Sequence, residues 1–119
     1  MKKILILITT LLMISCGNNL KEIDLESLES RNNIFYEKGA EEAFTGKVTA
    51  KYPDGNKLLE SHWKDGKQNG KQIQYYENGK IKIEGIFKDG KANGVIKVYD
   101  KNGEVTLEEE WKDGVRVVK

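Results

Sequence analysis

The sequence predicts an all-β domain of consecutive hairpins behind a short N-terminal leader. Three observations predict it: a gapless 24-residue repeat from Gly46 onward, two turn dipeptides in each copy, and apolar alternation along the strand that closes each copy. A chain of 119 residues suits one small domain.

The leader comes first. Lys2 and Lys3 precede an apolar run over residues 4–14, interrupted only by Thr9 and Thr10. This charged start and short apolar stretch have the form of a secretory signal over residues 1–15, whereas a membrane-spanning helix needs about 20 apolar residues. Met13-Ile14-Ser15-Cys16-Gly17 resembles the lipobox of bacterial lipoproteins, with Met where Leu is more usual. That resemblance implies cleavage before Cys16, diacylglycerol on its thiol, and a protein anchored to the cell membrane or outer membrane, facing away from the cytoplasm. Two or more acyl chains make a stable anchor, because each buried CH₂ adds about 0.8 kcal/mol. The alternative is an ordinary secreted protein with an incidental thiol. Cys16 is the only cysteine, so an intramolecular disulfide is excluded, and lipidation accounts for a lone thiol in an oxidising compartment.

Residues 16–32 then read as a lipid-anchored tether and lead-in, opening on polar Gly17, Asn18 and Asn19. Within it, residues 22–31 set Ile23, Leu25 and Leu28 among acidic side chains, compatible with a short helix or an extended segment.

The repeat domain is assigned to residues 33–119, with a half-copy at 33–45 and copies at 46–69, 70–93 and 94–119. The half-copy rests on Phe35-Tyr36-Glu37-Lys38-Gly39, which is similar to Tyr76-Glu77-Asn78-Gly79, and it is expected to cap the array. In the full copies, Gly46, Gly70 and Gly94 share one place and Gly55, Gly79 and Gly103 a second. Trp63-Lys64-Asp65-Gly66, Phe87-Lys88-Asp89-Gly90 and Trp111-Lys112-Asp113-Gly114 share a third. A period of this length marks a stacked or linear array of one reused unit. Asp54-Gly55, Asn78-Gly79, Asn102-Gly103 and the three Asp-Gly pairs supply the positive φ of tight hairpins, so each copy is two strands and two turns.

On the second strand of each copy, Leu59, Ile83 and Leu107 share a face with Trp63, Phe87 and Trp111, with Ser61, Gly85 and Glu109 between them. Glu60, Glu84 and Glu108 take the opposite face. The first strand has no single register: Val48, Ala50 and Tyr52 alternate, whereas Tyr75 and Tyr76 are adjacent and Val95, Ile96, Val98 and Tyr99 fall on both faces. The row Trp63, Phe87 and Trp111 is the candidate spine of the sheet. Part of that row, or Tyr52, Tyr75, Tyr76 and Tyr99, is alternatively an exposed docking strip for a protein partner.

Several function classes are disfavoured. With 20 basic and 19 acidic side chains interspersed, there is no basic stripe for nucleic acid. The one histidine, His62, aligns with Ile86 and Glu110 and marks tolerant surface rather than a catalytic base, and one His with one acylated Cys cannot bind zinc. Asp100-Lys101-Asn102-Gly103 has ligand-type residues two apart, but Trp111 stands where a calcium loop needs its bidentate Glu. No Gly-rich nucleotide loop is present. The expectation is a protein without enzymatic activity, cofactor or metal. Strand edges at the two ends of the array leave self-association open.

Tyr76-Glu77-Asn78-Gly79-Lys80 and Glu84-Gly85-Ile86-Phe87-Lys88-Asp89-Gly90-Lys91-Ala92-Asn93-Gly94 resemble the MORN repeat in its bacterial variant. Asp24-Leu25-Glu26-Ser27-Leu28-Glu29-Ser30-Arg31-Asn32 and Phe44-Thr45-Gly46-Lys47-Val48 are similar to the opening of the YwqK-like antitoxin family. The first resemblance implies an elongated, twisted antiparallel sheet of hairpins with an adhesive role. The second implies the alternative function, an antitoxin or immunity protein that masks a toxin.

Overall fold

The computed structural model describes residues 20–118; the leader and Cys16 lie outside the described residues. β1 (Glu22–Asp24), a 3₁₀ turn (Leu25–Ser27), β2 (Leu28–Arg31) and β3 (Ile34–Glu37) are followed by the repeated strands. These are β4 (Gly46–Lys51), β5 (Lys57–Lys64), β6 (Lys67–Tyr75), β7 (Ile81–Lys88), β8 (Lys91–Ala92), β9 (Gly94–Tyr99), β10 (Val105–Lys112) and β11 (Val115–Arg116). No α-helix occurs among the described residues. The main sheet runs β1-β4-β5-β6-β7-β9-β10-β11, with β8 continuing β9's place beside β7, so from β4 onward chain order is spatial order. Every pairing is antiparallel except β1 with β4. At about 4.8 Å between strands, this path spans about 34 Å.

The two turn families differ in backbone conformation. At Asp65-Gly66, Asp89-Gly90 and Asp113-Gly114 both residues have positive φ, near 50° and 84°, the two-residue I′ geometry expected from sequence. At Asp54-Gly55, Asn78-Gly79 and Asn102-Gly103 only the glycine does. There the Gly55 N–H donates to the Tyr52 carbonyl and the Tyr52 N–H to the Asn56 carbonyl, a three-residue loop with a glycine bulge that Gly79 and Gly103 repeat. Three residues past each glycine the second strand carries one residue more than its partner, at Leu58, Lys82 and Thr106, and the ladder shifts there.

Residues 22–31 join the folded unit. Ile23 pairs with Val48, and β2 pairs with β3 through a turn at Asn32 and Asn33, with φ of 56° and 67°. The stretch expected to open the array as a half-copy adds no strand to the main sheet. Asparagine tolerates positive φ, so the Asn32-Asn33 turn folds β3 back on β2 and makes a separate two-stranded sheet. That small sheet lies over one face of the main sheet. Leu28 and Phe35 pack on the core of Ile23, Phe44, Val48 and Trp63, and the Phe35 and Trp63 rings lie 4.9 Å apart.

Two glycines permit this closure. A Cβ on Gly46 would lie 2.3 Å from the Lys21 carbonyl oxygen, where the lead-in crosses β4. One on Gly66 would lie 2.4 Å from Ile34 Cγ2, and Gly66 has φ +83°.

Candidate functional site: an interaction face covered at one end

Cross-strand partners share a face, so the registers define the packed side of the sheet. It carries Ile23, Val48 and Ala50, then Leu59, Ser61 and Trp63, then Gln72 and Gln74. It continues through Ile83, Gly85 and Phe87, then Ile96 and Val98, and ends on Leu107, Glu109 and Trp111. The opposite face is charged, with the row Glu60, Ile73, Glu84, Lys97, Glu108 crossing five strands.

Burial along the packed face falls with distance from the cap. Trp63, under β2 and β3, is 8% exposed and its indole N–H donates to Ser61 Oγ at 2.9 Å. Phe87 and Trp111, at the same place in later copies, are half-buried, and the Trp111 indole donates to Glu109. Leu59 and Ile83 are half-buried and Leu107 is 47% exposed. Thus the apolar row continues for two copies beyond the small sheet that covers its start. Between the two regions lies a cleft of about 330 Å³, floored by Phe35 and Trp63 and rimmed by Lys67, Asp89 and Lys91.

The tyrosines join copies to one another. Tyr52 Oη donates to the Tyr75 carbonyl and Tyr76 Oη to the Tyr99 carbonyl, both at 2.7 Å and both 23 residues ahead. Tyr99 donates to Glu84, which raises its phenol above the usual tyrosine range. In the third copy Asp100 stands where the first two have Tyr52 and Tyr76, and its Oδ1 accepts from the Asn102 and Glu104 N–H groups, so the carboxylate weighed for calcium serves its own turn. Asn56 reaches the Glu77 carbonyl and Asn78 the Lys101 carbonyl, linking successive turns. At the opposite ends of the strands, Gly66, Gly90 and Gly114 N–H groups donate to the carbonyls of Phe44, Gln68 and Ala92, each 22 residues back. These inter-copy bonds were not read from sequence. Their signal is a spacing one to three residues short of the 24-residue period, which sets each turn against the neighbouring copy.

His62 is half-buried on the charged face, and its Nδ1 lies 3.1 Å from the Lys71 carbonyl oxygen, where it donates to an obligate acceptor. No group of three or more metal-ligating side chains occurs among the described residues. Glu60 bonds Lys57 at 2.8 Å, lowering its own carboxyl below the usual range and raising the Lys57 ammonium. Cys16 lies outside the described residues.

The unit bounded by these ladders is the one that comparison detects. A MORN repeat variant is found at residues 68–89 and again at 92–113. The two matched segments start 24 residues apart, at Gln68 and Ala92, the carbonyls that receive the turn glycines. Repeats of this variant are non-catalytic binding or interaction modules. No curated protein and no solved structure matches the chain.

Proposed function

We propose that the chain is an exported lipoprotein, held to a membrane by lipid on Cys16, whose repeat sheet docks a protein on the uncovered part of its packed face. The observation that carries the docking role is the continuation of Ile83, Phe87, Val98, Leu107 and Trp111 past the small sheet that shelters Trp63. Exposed apolar surface rimmed by polar groups is the usual mark of a protein contact.

The anchor and the open face are at opposite ends. Five residues separate Cys16 from Glu22, so at about 3.5 Å per residue the start of the sheet stays within about 21 Å of the lipid. β10 lies at the far end of the strand order. The capped end therefore faces the membrane and the open end projects from it. Masking a toxin delivered to the envelope is one form of such docking, and the identity of the partner decides it.

Metabolic labelling with a tagged fatty acid tests the anchor: the wild-type chain incorporates label and Cys16→Ala does not. Equal incorporation by the variant removes the lipoprotein reading. Docking is tested separately with Leu107→Asp, which puts a charge on the open face and is expected to abolish co-purification of the crosslinked partner.

A further inference from the structure

Among the described residues, nothing fills the strand position at the far edge of the sheet. β5 is covered by β6 from Lys64 back to Leu59, and β7 by β8 and β9 from Lys88 back to Ile83. β10 has the same length and place in its copy, but β11 pairs only with Trp111 and Lys112. Beyond it the Val117 N–H reaches the Glu110 carbonyl, and among the described residues nothing pairs with the outer side of residues 105–109. That bond shows which way the backbone faces. With the Glu110 carbonyl directed outward, alternation directs the N–H and C=O groups of Glu108 outward as well; Thr106 is the extra residue of the bulge in this ladder, where alternation is interrupted. A cleft of about 310 Å³ opens at this point between Glu108, Glu109 and the departing residues Arg116 and Val117.

The side chains specify what would fill it. Across the charged face Glu84 pairs with Lys97 and Lys97 with Glu108, so acid and base alternate toward the edge and stop on an exposed acid. In the first copy the equivalent Glu60 is met by Lys57 at 2.8 Å and Lys47 at 3.6 Å. The chain's own outer strand follows the same chemistry, with Arg116 Nη1 3.1 Å from Glu109 Oε2. On the other face Leu107 is 47% exposed and offers an apolar neighbour at the alternate position.

A second copy of β10 fits poorly. Antiparallel pairing about Glu108 sets that residue against itself, pairing about Glu109 sets Glu108 against Glu110, and pairing about Leu107 sets Glu104 against Glu110. Like charges directly opposite destabilise a sheet.

We infer that the β10 edge receives an extended segment of another protein in which Lys or Arg alternates with aliphatic residues, pairing its backbone with Glu108, setting its cations beside Glu108 on the charged face and its aliphatic residues beside Leu107 on the other. This is recognition by strand addition: backbone hydrogen bonds supply affinity and alternate side chains supply selectivity. It uses the edge rather than the open face, and holds whether or not the chain is lipidated.

The test uses the purified full chain and fluorescently labelled synthetic peptides. A Val-Lys alternating peptide is expected to bind, weakening with added salt, while a Val-Glu alternating peptide does not. The Val-Lys peptide N-methylated on alternate residues, in the frame that presents its N–H groups to β10, loses binding because it cannot pair. Methylation in the other frame leaves binding intact. Glu108→Lys, an exposed position whose substitution leaves the core untouched, is expected to lower affinity about tenfold by replacing an attractive cross-strand pair with a repulsive one. Equal binding by both methylated peptides overturns strand addition. Unchanged affinity in Glu108→Lys, or equal binding of the acidic peptide, overturns the charge assignment. Concentration-dependent dimerisation of the chain that competes with peptide would assign the edge to a second copy and overturn the inference.

Discussion

Trp63 and Trp111 occupy one place in the repeat but differ in cover, so the pair isolates what the cap contributes. Trp63→Ala removes an indole that is 8% exposed and packed against Phe35. Such truncations cost about 3–5 kcal/mol, because surrounding groups do not collapse into the cavity. The buried Ser61 hydroxyl, 2% exposed, also loses its donor. Trp111 is half-buried at the open end, so water fills the space it leaves. With roughly 75 Å² of apolar area covered, at about 25 cal/mol/Å², Trp111→Ala costs about 2 kcal/mol. In a linear array much of that loss stays local to the last copy. Urea denaturation followed by far-ultraviolet circular dichroism reads the difference. With m near 2 kcal/mol/M, the Trp63→Ala midpoint falls at least about 0.5–1.5 M further than that of Trp111→Ala. Equal midpoints would refute the reasoning, since they would mean that the β2–β3 sheet does not shelter Trp63.

Three further outcomes follow from individual contacts. Gly66→Ala forces a Cβ within 2.4 Å of Ile34 and is expected to cost more than about 3 kcal/mol, whereas Gly79→Ala, with similar φ and open space around it, costs about 1–2 kcal/mol; thermal melts compare them. Because pairing with Lys57 lowers the Glu60 carboxyl, its contribution is complete above the ordinary carboxylate value near 4.3 and is lost as pH falls through the lowered value. The stability deficit of Glu60→Gln, under about 1 kcal/mol for this solvent-facing pair, is therefore present at neutral pH and disappears in acid urea titrations. Tyr52→Phe and Tyr76→Phe each leave a carbonyl of the next copy without its hydroxyl donor, and each shifts stability by about 0.5–1.5 kcal/mol in the same denaturation assay.

The parts of the fold legible in sequence are those set by local chemistry. Asp-Gly supplies two positive φ values, which fixes the three I′ hairpins, and period-two patterning places Leu59, Trp63 and their equivalents on one face. The register of the first strands was not legible because it is set against a facing strand that carries an extra residue, Leu58, Lys82 or Thr106, which period-two patterning does not reveal. Residues 22–31 were open for another reason. Ile23 gains a strand partner only where Gly46 lets the lead-in approach β4, a contact between segments 23 residues or more apart. The placement of β3 over Trp63 depends on the turn at Asn32-Asn33, where the only local signal is the tolerance of asparagine for positive φ. For the site, sequence carried no information on the unequal cover of Trp63, Phe87 and Trp111, because that depends on where the β2–β3 sheet ends. The tyrosines grouped with them join consecutive copies by backbone bonds, a role that appears only when the copies are stacked.

Docking on the open face is tested most directly by photocrosslinking in intact cells from a single reactive side chain at Leu107, with the same group at Lys82 on the charged face as reference. The account predicts a discrete protein adduct from position 107 that is absent from position 82 and lost when Trp111→Ala is combined with the probe. An adduct of equal yield from both faces, or one from position 82 alone, would contradict it.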